Sequence, residues 1–234
     1  MTRKLTHVIF DCDGVLVDSE MLSAGVLMQM LVEIGLPIDF DVFRSDFLGR
    51  SFASAAERAE VRFGRPLPAD FQLRYREKLL ARMADDLKAM EGVFDVLNHI
   101  TVPYALATSS SPQRLALSLQ VTGLSRYFVD RAHTAAEVRR GKPAPDLFLY
   151  VADKLGTEPE TCLVLEDSEM GVLAAQAAGM ETWHFAGGAH IKAGYALPAG
   201  LGVDKVVHKM TELHHIFCRT GISHDERVAE SPKR

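Results

Sequence analysis

The sequence lacks several features that mark particular classes of protein. No apolar stretch approaches the ~20 residues that a helix needs to span a bilayer, and the apolar run near the start is too short for a signal peptide. The net charge is −5, so there is no surplus of positive charge for a nucleic-acid or membrane surface. The three cysteines share no metal-ligand spacing and do not suggest a disulfide framework. We therefore expect a cytoplasmic protein with reduced thiols and with neither nucleic-acid nor membrane partners.

The order of strand and helix patterns predicts the fold class. The chain has 234 residues, of which 47% are hydrophobic, enough for one or two domains with a sizeable core. From Val102 onward, strand patterns alternate with helix patterns, which predicts an α/β fold with a doubly wound parallel sheet. The expected strands include Val102–Ala107, Thr161–Leu165, Glu181–Phe185 and Lys205–Val207. Between about Asp39 and Leu87 the patterns are helical only. The sequence therefore predicts an all-helical insertion after the first strand.

A short strand pattern near the start of the chain ends in two aspartates. Val8–Phe10 is a short apolar run typical of a buried strand, and Asp11 and Asp13 follow it. Alternation along an extended chain sends both carboxylates to one side, in the crevice where open α/β sheets bind ligands. Such close carboxylates repel unless a cation or a shared proton neutralises them, and Mg²⁺ prefers oxygen ligands. We interpret the motif as a metal-dependent site with one ionised and one proton-carrying carboxylate. An Asx-rich turn is the alternative.

Polar residues also stand at other strand ends or just before helix patterns. They are Thr108 and Ser109, Lys142, and Glu166 and Asp167. The carboxyl ends of parallel strands meet at one edge of a sheet, so these groups can converge with the first aspartates. Taken singly, they have simpler explanations, such as a helix cap, a solvated lysine or negative charge at a helix N-terminus.

Together these groups suit phosphoryl transfer. Hydroxyls and free amides at a helix start bind phosphate oxygens, a lysine adds positive charge, and carboxylates hold Mg²⁺. A carboxylate beside Mg²⁺ can act as a nucleophile and form an aspartyl phosphate. This reaction depends mainly on positioning and charge neutralisation.

The motifs, in this order, resemble those of the haloacid dehalogenase-like superfamily. The matching segments are Asp11-x-Asp13-Gly14-x-x-x-Asp18-Ser19, Thr108-Ser109, Lys142-Pro143-x-Pro145-Asp146 and Glu166-Asp167-Ser168-x-x-Gly171. The resemblance covers about Val8 to Gly179. It implies a Rossmann-like core over residues 1–18 and 89–234, with a small all-helical cap domain over residues 19–88. Within the superfamily the chain is most similar to the β-phosphoglucomutase-like branch of sugar-phosphate enzymes.

The resemblance also implies a role for each matching residue. Asp11 would be the nucleophile. Asp13 would protonate the leaving oxygen and then take a proton from the attacking water. Phosphate binding would fall to Gly14, Thr108, the amide of Ser109, and Lys142, which would also neutralise Asp11. Mg²⁺ would be held by Asp11, the backbone carbonyl of Asp13, Asp167 and Glu166.

The expected activity is Mg²⁺-dependent hydrolysis of a small phosphorylated metabolite, with a phosphosugar mutase as the alternative. Family mutases acting on β-glucose phosphate carry a histidine and an arginine where this chain has Ser23 and Phe52, which favours the phosphatase. Arg50 could take the place of that arginine, so the mutase stays open. A dehalogenase needs no acid at position 13, and phosphonate-cleaving relatives replace the second aspartate. A non-catalytic binding protein is a third hypothesis, against which the intact carboxylates and lysine argue.

The cap is expected to select the substrate, because the core contacts only the phosphoryl group. Cap residues that point into the cleft would suit a sugar-acid carboxylate or a second phosphate. The basic residues near plausible cap positions are Arg44, Arg50, Arg74, Arg76, Lys78 and Arg82. The segment from Gly179 to Phe185 resembles bacterial phosphatases acting on 6-phosphogluconate, so we expect a sugar phosphate or sugar-acid phosphate. We expect a monomer, with a homodimer as the alternative, and cap hinges near Asp18-Ser19 and near Leu87 to Gly92.

Overall fold

A six-stranded parallel sheet forms the centre of the computed structural model, which describes residues 5–47 and 52–213 and omits the side chains of residues 44, 45 and 52–54. The strands are β1 (His7–Phe10), β2 (Tyr104–Thr108), β3 (Ala132–Thr134), β4 (Cys162–Glu166), β5 (Glu181–Phe185) and β6 (Lys205–Val207). Their order is β3-β2-β1-β4-β5-β6, and every pairing is parallel. The order reverses its direction between β1 and β4, a switch point of the kind at which α/β sheets bind ligands. The predicted doubly wound sheet is confirmed.

Helices connect the strands and supply the insertion. The helices are α1 (Glu20–Glu33), α2 (Phe40–Asp46), α3 (Phe52–Phe63), α4 (Phe71–Asp86), α5 (Val93–His99), α6 (Pro112–Val121), α7 (Asp146–Leu155), α8 (Glu169–Ala177) and α9 (Ala189–Lys192). Short 3-10 helices span Ser125–Tyr127, Ala135–Glu137, Pro159–Thr161 and Met210–Leu213. Between β1 and β2, the described residues form α1 to α5 and no strand, in agreement with the predicted helical insertion. No helix in the described ranges combines the length and apolar character needed to cross a membrane.

The sheet is covered by helices on both faces. Val8 and Phe10 of β1 pack with α1, α5 and α6, whereas Ile9 packs with α7 and α8 on the opposite face. All three side chains have no exposed surface. A strand buried on both faces needs apolar residues at every position, which explains the unbroken hydrophobic run that ends at Asp11.

A serine precedes each of three helices at the carboxyl edge of the sheet, but the hydroxyl groups have different hydrogen-bond partners. The Ser111 hydroxyl accepts a hydrogen bond from the Arg114 amide at 3.3 Å at the start of α6, and Ser168 accepts one from the Gly171 amide at 3.1 Å at the start of α8. Ser19 precedes α1 but accepts no such hydrogen bond. Its hydroxyl instead donates to Asp13 Oδ1 at 2.6 Å, because a buried carboxylate is a stronger partner than a backbone amide.

The two ends of the insertion lie side by side. The Asp18 amide donates to the Lys88 carbonyl at 3.0 Å, and the Met90 amide donates to the Leu16 carbonyl at 2.8 Å. These bonds attach the helical segment directly behind the loop that carries Asp11. The division into core and cap domains, with hinges in these two segments, stays a prediction.

Candidate active site

One buried ammonium group joins three segments at the carboxyl edge of the sheet. Lys142 Nζ lies 2.6 Å from Asp11 Oδ1 and 2.7 Å from Glu166 Oε1, and it donates to the Ala107 carbonyl at 3.0 Å. The Lys142 side chain is only 3% exposed. Asp11 follows β1, Glu166 ends β4 and Ala107 lies in β2, which are neighbouring strands. The topology thus brings together residues that are far apart in the chain.

Three acidic side chains crowd around this lysine. Asp11, Glu166 and Asp167 are all buried, and each offers an oxygen within 4.8 Å of the others. Burial raises the pKa of Asp11 well above its usual value, against the lowering effect of Lys142, and the neighbouring carboxylates raise it further. Burial and the charge of Glu166 likewise raise the pKa of Asp167. This all-oxygen donor set carries more negative charge than Lys142 can neutralise, so it fits a hard divalent cation.

Asp13 lies outside this cluster and has its own cation. Arg114 Nη2 lies 2.6 Å from Asp13 Oδ1, and the hydroxyls of Ser19 and Ser110 donate to the same carboxylate at 2.6 and 2.5 Å. Burial disfavours the charged form, but the Arg114 guanidinium and both hydroxyls outweigh it, so the pKa of Asp13 is lowered. Only the backbone carbonyl of Asp13 was assigned to the metal, and that assignment stays a prediction.

A cation therefore lies beside each of the first two aspartates. Lys142 faces Asp11 and Arg114 faces Asp13, and the expectation of one ionised and one proton-carrying carboxylate stays a prediction. The opposite pKa shifts of the two groups, raised for Asp11 and lowered for Asp13, follow from their different surroundings. The spacing of the two aspartates alone does not predict that Arg114, Ser19 and Ser110 contact Asp13.

The predicted phosphate-binding residues lie around the same edge. Thr108 is buried at the end of β2, and its hydroxyl accepts a hydrogen bond from the Ser110 amide at 3.0 Å. Ser109 is exposed beside it, and both line the cavity described below. Gly14 has a φ of +80°, and a Cβ atom there would overlap Asp167 Oδ2. The structure therefore places Gly14 against the acidic cluster, where a side chain would displace Asp167. Its predicted contact with phosphate stays a prediction.

A cavity of about 540 Å³ lies between this edge and the helical insertion. Its floor contains the predicted site residues, and its far wall is formed by apolar and polar side chains of the insertion. The insertion side includes Glu20, Ser23, Leu27, Phe43, Phe47, Tyr75, Arg76 and Leu79. A ligand in the cavity would contact the acidic edge and the insertion at the same time.

Of the six basic cap candidates, Arg76 alone lines the cavity within the described part of the structure. Arg74 and Lys78 form ion pairs with Glu33 at 3.8 and 2.8 Å, and Arg82 pairs with Asp86 at 2.7 Å. Arg50 and the side chain of Arg44 lie outside the described parts of the chain. Phe52 lies within them, but its side chain does not.

His190, in the connection between β5 and β6, completes the site beside Asp167. Its Nε2 lies 2.9 Å from Asp167 Oδ2. Burial lowers the pKa of His190. Tyr195 packs beside it, with ring centroids 5.6 Å apart, and burial raises the pKa of Tyr195 to about 12. Sequence reasoning missed both residues, because this connection carries no strand-end motif.

Comparison with known proteins agrees with this geometry. The family model of haloacid dehalogenase-like hydrolases matches residues 5–179. A 6-phosphogluconate phosphatase of Escherichia coli is 27% identical over 190 residues, covering 81% of this chain and 86% of that protein. A phosphorylated carbohydrates phosphatase of Thermotoga maritima is 34% identical over 182 residues, covering 74% and 82%. A haloacid dehalogenase-like protein of unknown function from Agrobacterium tumefaciens superposes with a TM-score of 0.81 at 33% identity, covering 91% and 97%.

Proposed function

This chain belongs to the haloacid dehalogenase-like hydrolase family and is a phosphatase, and on that premise we propose that it hydrolyses a small phosphorylated metabolite with the help of Mg²⁺, through an aspartyl phosphate on Asp11. The observation that carries the proposal is the buried Lys142 ammonium group, which contacts Asp11 and Glu166 at the switch point of the sheet. A buried carboxylate next to a cation and a second acid is the arrangement that nucleophilic phosphoryl transfer requires.

The residues fit a magnesium site by their chemistry. Asp11, Glu166 and Asp167 would hold the ion, together with the backbone carbonyl of Asp13. When bound, Mg²⁺ supplies positive charge that offsets the negative charge of the phosphoryl oxygens. Lys142 contributes a second positive charge at the same place.

Each catalytic side chain has a defined task in the proposed reaction. A carboxylate oxygen of Asp11 attacks phosphorus, and the bond between phosphorus and the leaving oxygen breaks while Asp13 gives that oxygen a proton. Asp13 then takes a proton from a water molecule that attacks the phosphorus, and the bond from Asp11 to phosphorus breaks. Thr108 and the Ser109 amide hold the phosphoryl oxygens during both steps.

Bound ligands would change the surroundings that set the pKa values of Asp11 and Asp13. A cation at the acidic cluster favours the ionised form of Asp11, against the effect of burial. Burial favours the protonated form of Asp13, whereas Arg114 favours the ionised form, so drawing Arg114 towards another anion favours a proton on Asp13. An anionic group of the substrate that reaches Arg114 would supply this condition.

We propose a sugar phosphate or a sugar-acid phosphate, such as 6-phosphogluconate, as the substrate. Arg76 and Arg114 lie at the cavity wall and could contact a carboxylate or hydroxyls remote from the phosphoryl group. The names of the curated relatives support this class. If Arg76 recognises the substrate, Arg76→Ala raises KM, whereas Arg82→Ala leaves it unchanged, because Arg82 pairs with Asp86 on the surface.

A panel of sugar phosphates and sugar-acid phosphates, incubated with the protein and Mg²⁺ and followed by ³¹P NMR, tests the proposal. We expect inorganic phosphate to appear, EDTA to stop its release and Asp11→Asn to abolish it while the circular dichroism spectrum stays unchanged. An isomeric sugar phosphate without inorganic phosphate would instead establish a phosphomutase. Appreciable turnover by Asp11→Asn would remove the nucleophile assignment.

A further inference from the structure

We propose that His190 is a positioning residue for the cation site: its Nε2–H group holds one oxygen of Asp167 and thereby presents the other oxygen to Mg²⁺. The inference rests on the proposed function, since it concerns the same cation. It adds a residue from the connection between β5 and β6, outside the motifs that mark the site in the sequence.

The contact between His190 and Asp167 is short and sealed from solvent. Nε2 lies 2.9 Å from Oδ2, and the two side chains are 3% and 5% exposed. A hydrogen bond in such a place is stronger than one at the surface, because water does not compete for either partner. A hydrogen bond across this contact would occupy Oδ2 of Asp167 and leave Oδ1 as the oxygen available to an ion.

The direction of the proposed hydrogen bond follows from the chemistry of the two groups. A carboxylate that ligates a cation is ionised and can only accept hydrogen bonds. His190 must therefore donate from Nε2. Its Nδ1 atom is buried and has no hydrogen-bond partner among the described residues, as expected for the bare nitrogen of a neutral ring.

Packing holds the imidazole ring in this orientation. The Ala189 amide donates to Asp18 Oδ1 at 3.2 Å, which attaches α9 to the loop that follows β1. Gly14 and Gly188 leave room for the ring, since a Cβ atom at these positions would lie 3.0 and 2.6 Å from His190 Cε1. A side chain fixed on all sides can orient a metal ligand, whereas a mobile one cannot.

Loss of such an outer partner typically weakens metal binding by about 10–100-fold. The test is the Mg²⁺ affinity of the full chain, measured by isothermal titration calorimetry without substrate. His190→Phe keeps a ring of similar size but removes the donor, so we expect an affinity lower by about 10–100-fold. His190→Gln retains an N–H donor and should bind Mg²⁺ nearly as well as the wild type.

His133→Phe is the matched control. His133 also faces a carboxylate, with Nδ1 3.0 Å from Glu137 Oε2, but it lies on β3 at the far edge of the sheet. The same exchange at that position should leave the Mg²⁺ affinity unchanged. A purely structural effect of replacing a histidine by phenylalanine would lower stability in both variants without a selective loss of Mg²⁺ binding.

Each outcome decides between defined alternatives. Equal Mg²⁺ affinity in the wild type and in His190→Phe would overturn this inference but leave the proposed function standing. A wild type that takes up no Mg²⁺ would overturn the proposed cation site and this inference together. If His190→Phe does not fold, ¹⁵N NMR of the wild-type imidazole decides: a proton on Nε2 in the Mg²⁺-loaded protein supports the inference, and a proton on Nδ1 alone overturns it.

Discussion

Replacing Lys142 by methionine removes the buried cation on which the proposed site depends. The lysine side chain is 3% exposed, and its ammonium group contacts Asp11 and Glu166, whose side chains are 9% and 1% exposed. Breaking a buried ion pair by removing one partner typically costs about 3–5 kcal/mol of stability, because the remaining charge is left uncompensated. Methionine retains most of the volume of the side chain, so the cost is electrostatic rather than a cavity.

The loss should depend on pH, and its sign follows from the direction of the Asp11 shift. Burial already raises the pKa of Asp11 in the folded protein, and loss of Lys142 raises it further. An acid whose pKa is higher in the folded state favours that state only at low pH, and this contribution is lost as pH rises from the unfolded towards the folded pKa. Lys142→Met is therefore expected to lose more stability at pH 8 than at pH 5.

Urea unfolding at both pH values, followed by circular dichroism, measures this loss. Lys154→Met is the control, because Lys154 lies on the exposed surface of α7. We expect the free energy of unfolding of Lys142→Met to fall by about 3–5 kcal/mol at pH 8, and phosphate release to fall by about 10²–10³-fold. A variant as stable as Lys154→Met at both pH values, with normal turnover, would refute the assignment of Lys142 as the counter-charge of the acidic cluster.

The remaining predictions concern Asp13 and Gly14. Arg114→Met should lower the free energy of unfolding by about 3–5 kcal/mol at pH 7. The folded pKa of Asp13 is lowered, so its contribution to stability is complete above the unfolded pKa and is lost as pH falls through the folded pKa. The loss caused by Arg114→Met should therefore shrink over that pH range. Urea titration measures this loss. As the control, Arg140→Met, which removes an exposed ion pair with Asp146, should change the free energy of unfolding little. A loss in Arg114→Met that does not vary with pH would count against the contact between Arg114 and Asp13. Gly14→Ala should weaken Mg²⁺ binding in calorimetry, because the added Cβ atom would overlap Asp167. Gly123 also has a positive φ, of +74°, but open space around it, so Gly123→Ala should lower stability without weakening Mg²⁺ binding. Equal Mg²⁺ affinities in the two variants would contradict this reasoning.

Local patterns predict the strands of this chain well. The expected strands Glu181–Phe185 and Lys205–Val207 have the bounds that the structure gives. The second strand was expected to begin at Val102 but begins at Tyr104, after Pro103. Short apolar runs bounded by polar turns are sufficient to place buried strands, because burial on both faces leaves few other residue types possible. The convergence of the strand-end groups then follows from parallel topology alone.

Contacts across the chain could not be predicted in the same way. Arg114 lies in the first turn of α6, where its own sequence suggests only a charged residue on a helix surface. Its contact with Asp13 depends on how α6 and the loop after β1 are placed in three dimensions. His190 lies in a connection without any periodic pattern, and its contact with Asp167 depends on the path of the chain after β5.

The sequence also does not predict which side of each insertion helix faces the cavity. Arg74, Arg76 and Lys78 are neighbours on α4, but only Arg76 of the three lines the cavity in the described structure. Which residues of a helix face a ligand depends on packing against the rest of the molecule, here on the contact between α1 and α4. Charge and spacing alone do not distinguish these three residues.

The central claim is that Asp11 carries the phosphoryl group during turnover. Rapid acid quenching of the enzyme with substrate and Mg²⁺, reduction with borohydride and peptide mass spectrometry measure this directly, because borohydride converts an aspartyl phosphate to homoserine. We predict homoserine at position 11, and none when Mg²⁺ is withheld. Full turnover with Asp11 unmodified under these conditions, or a phosphoryl group trapped on another residue, would contradict the account.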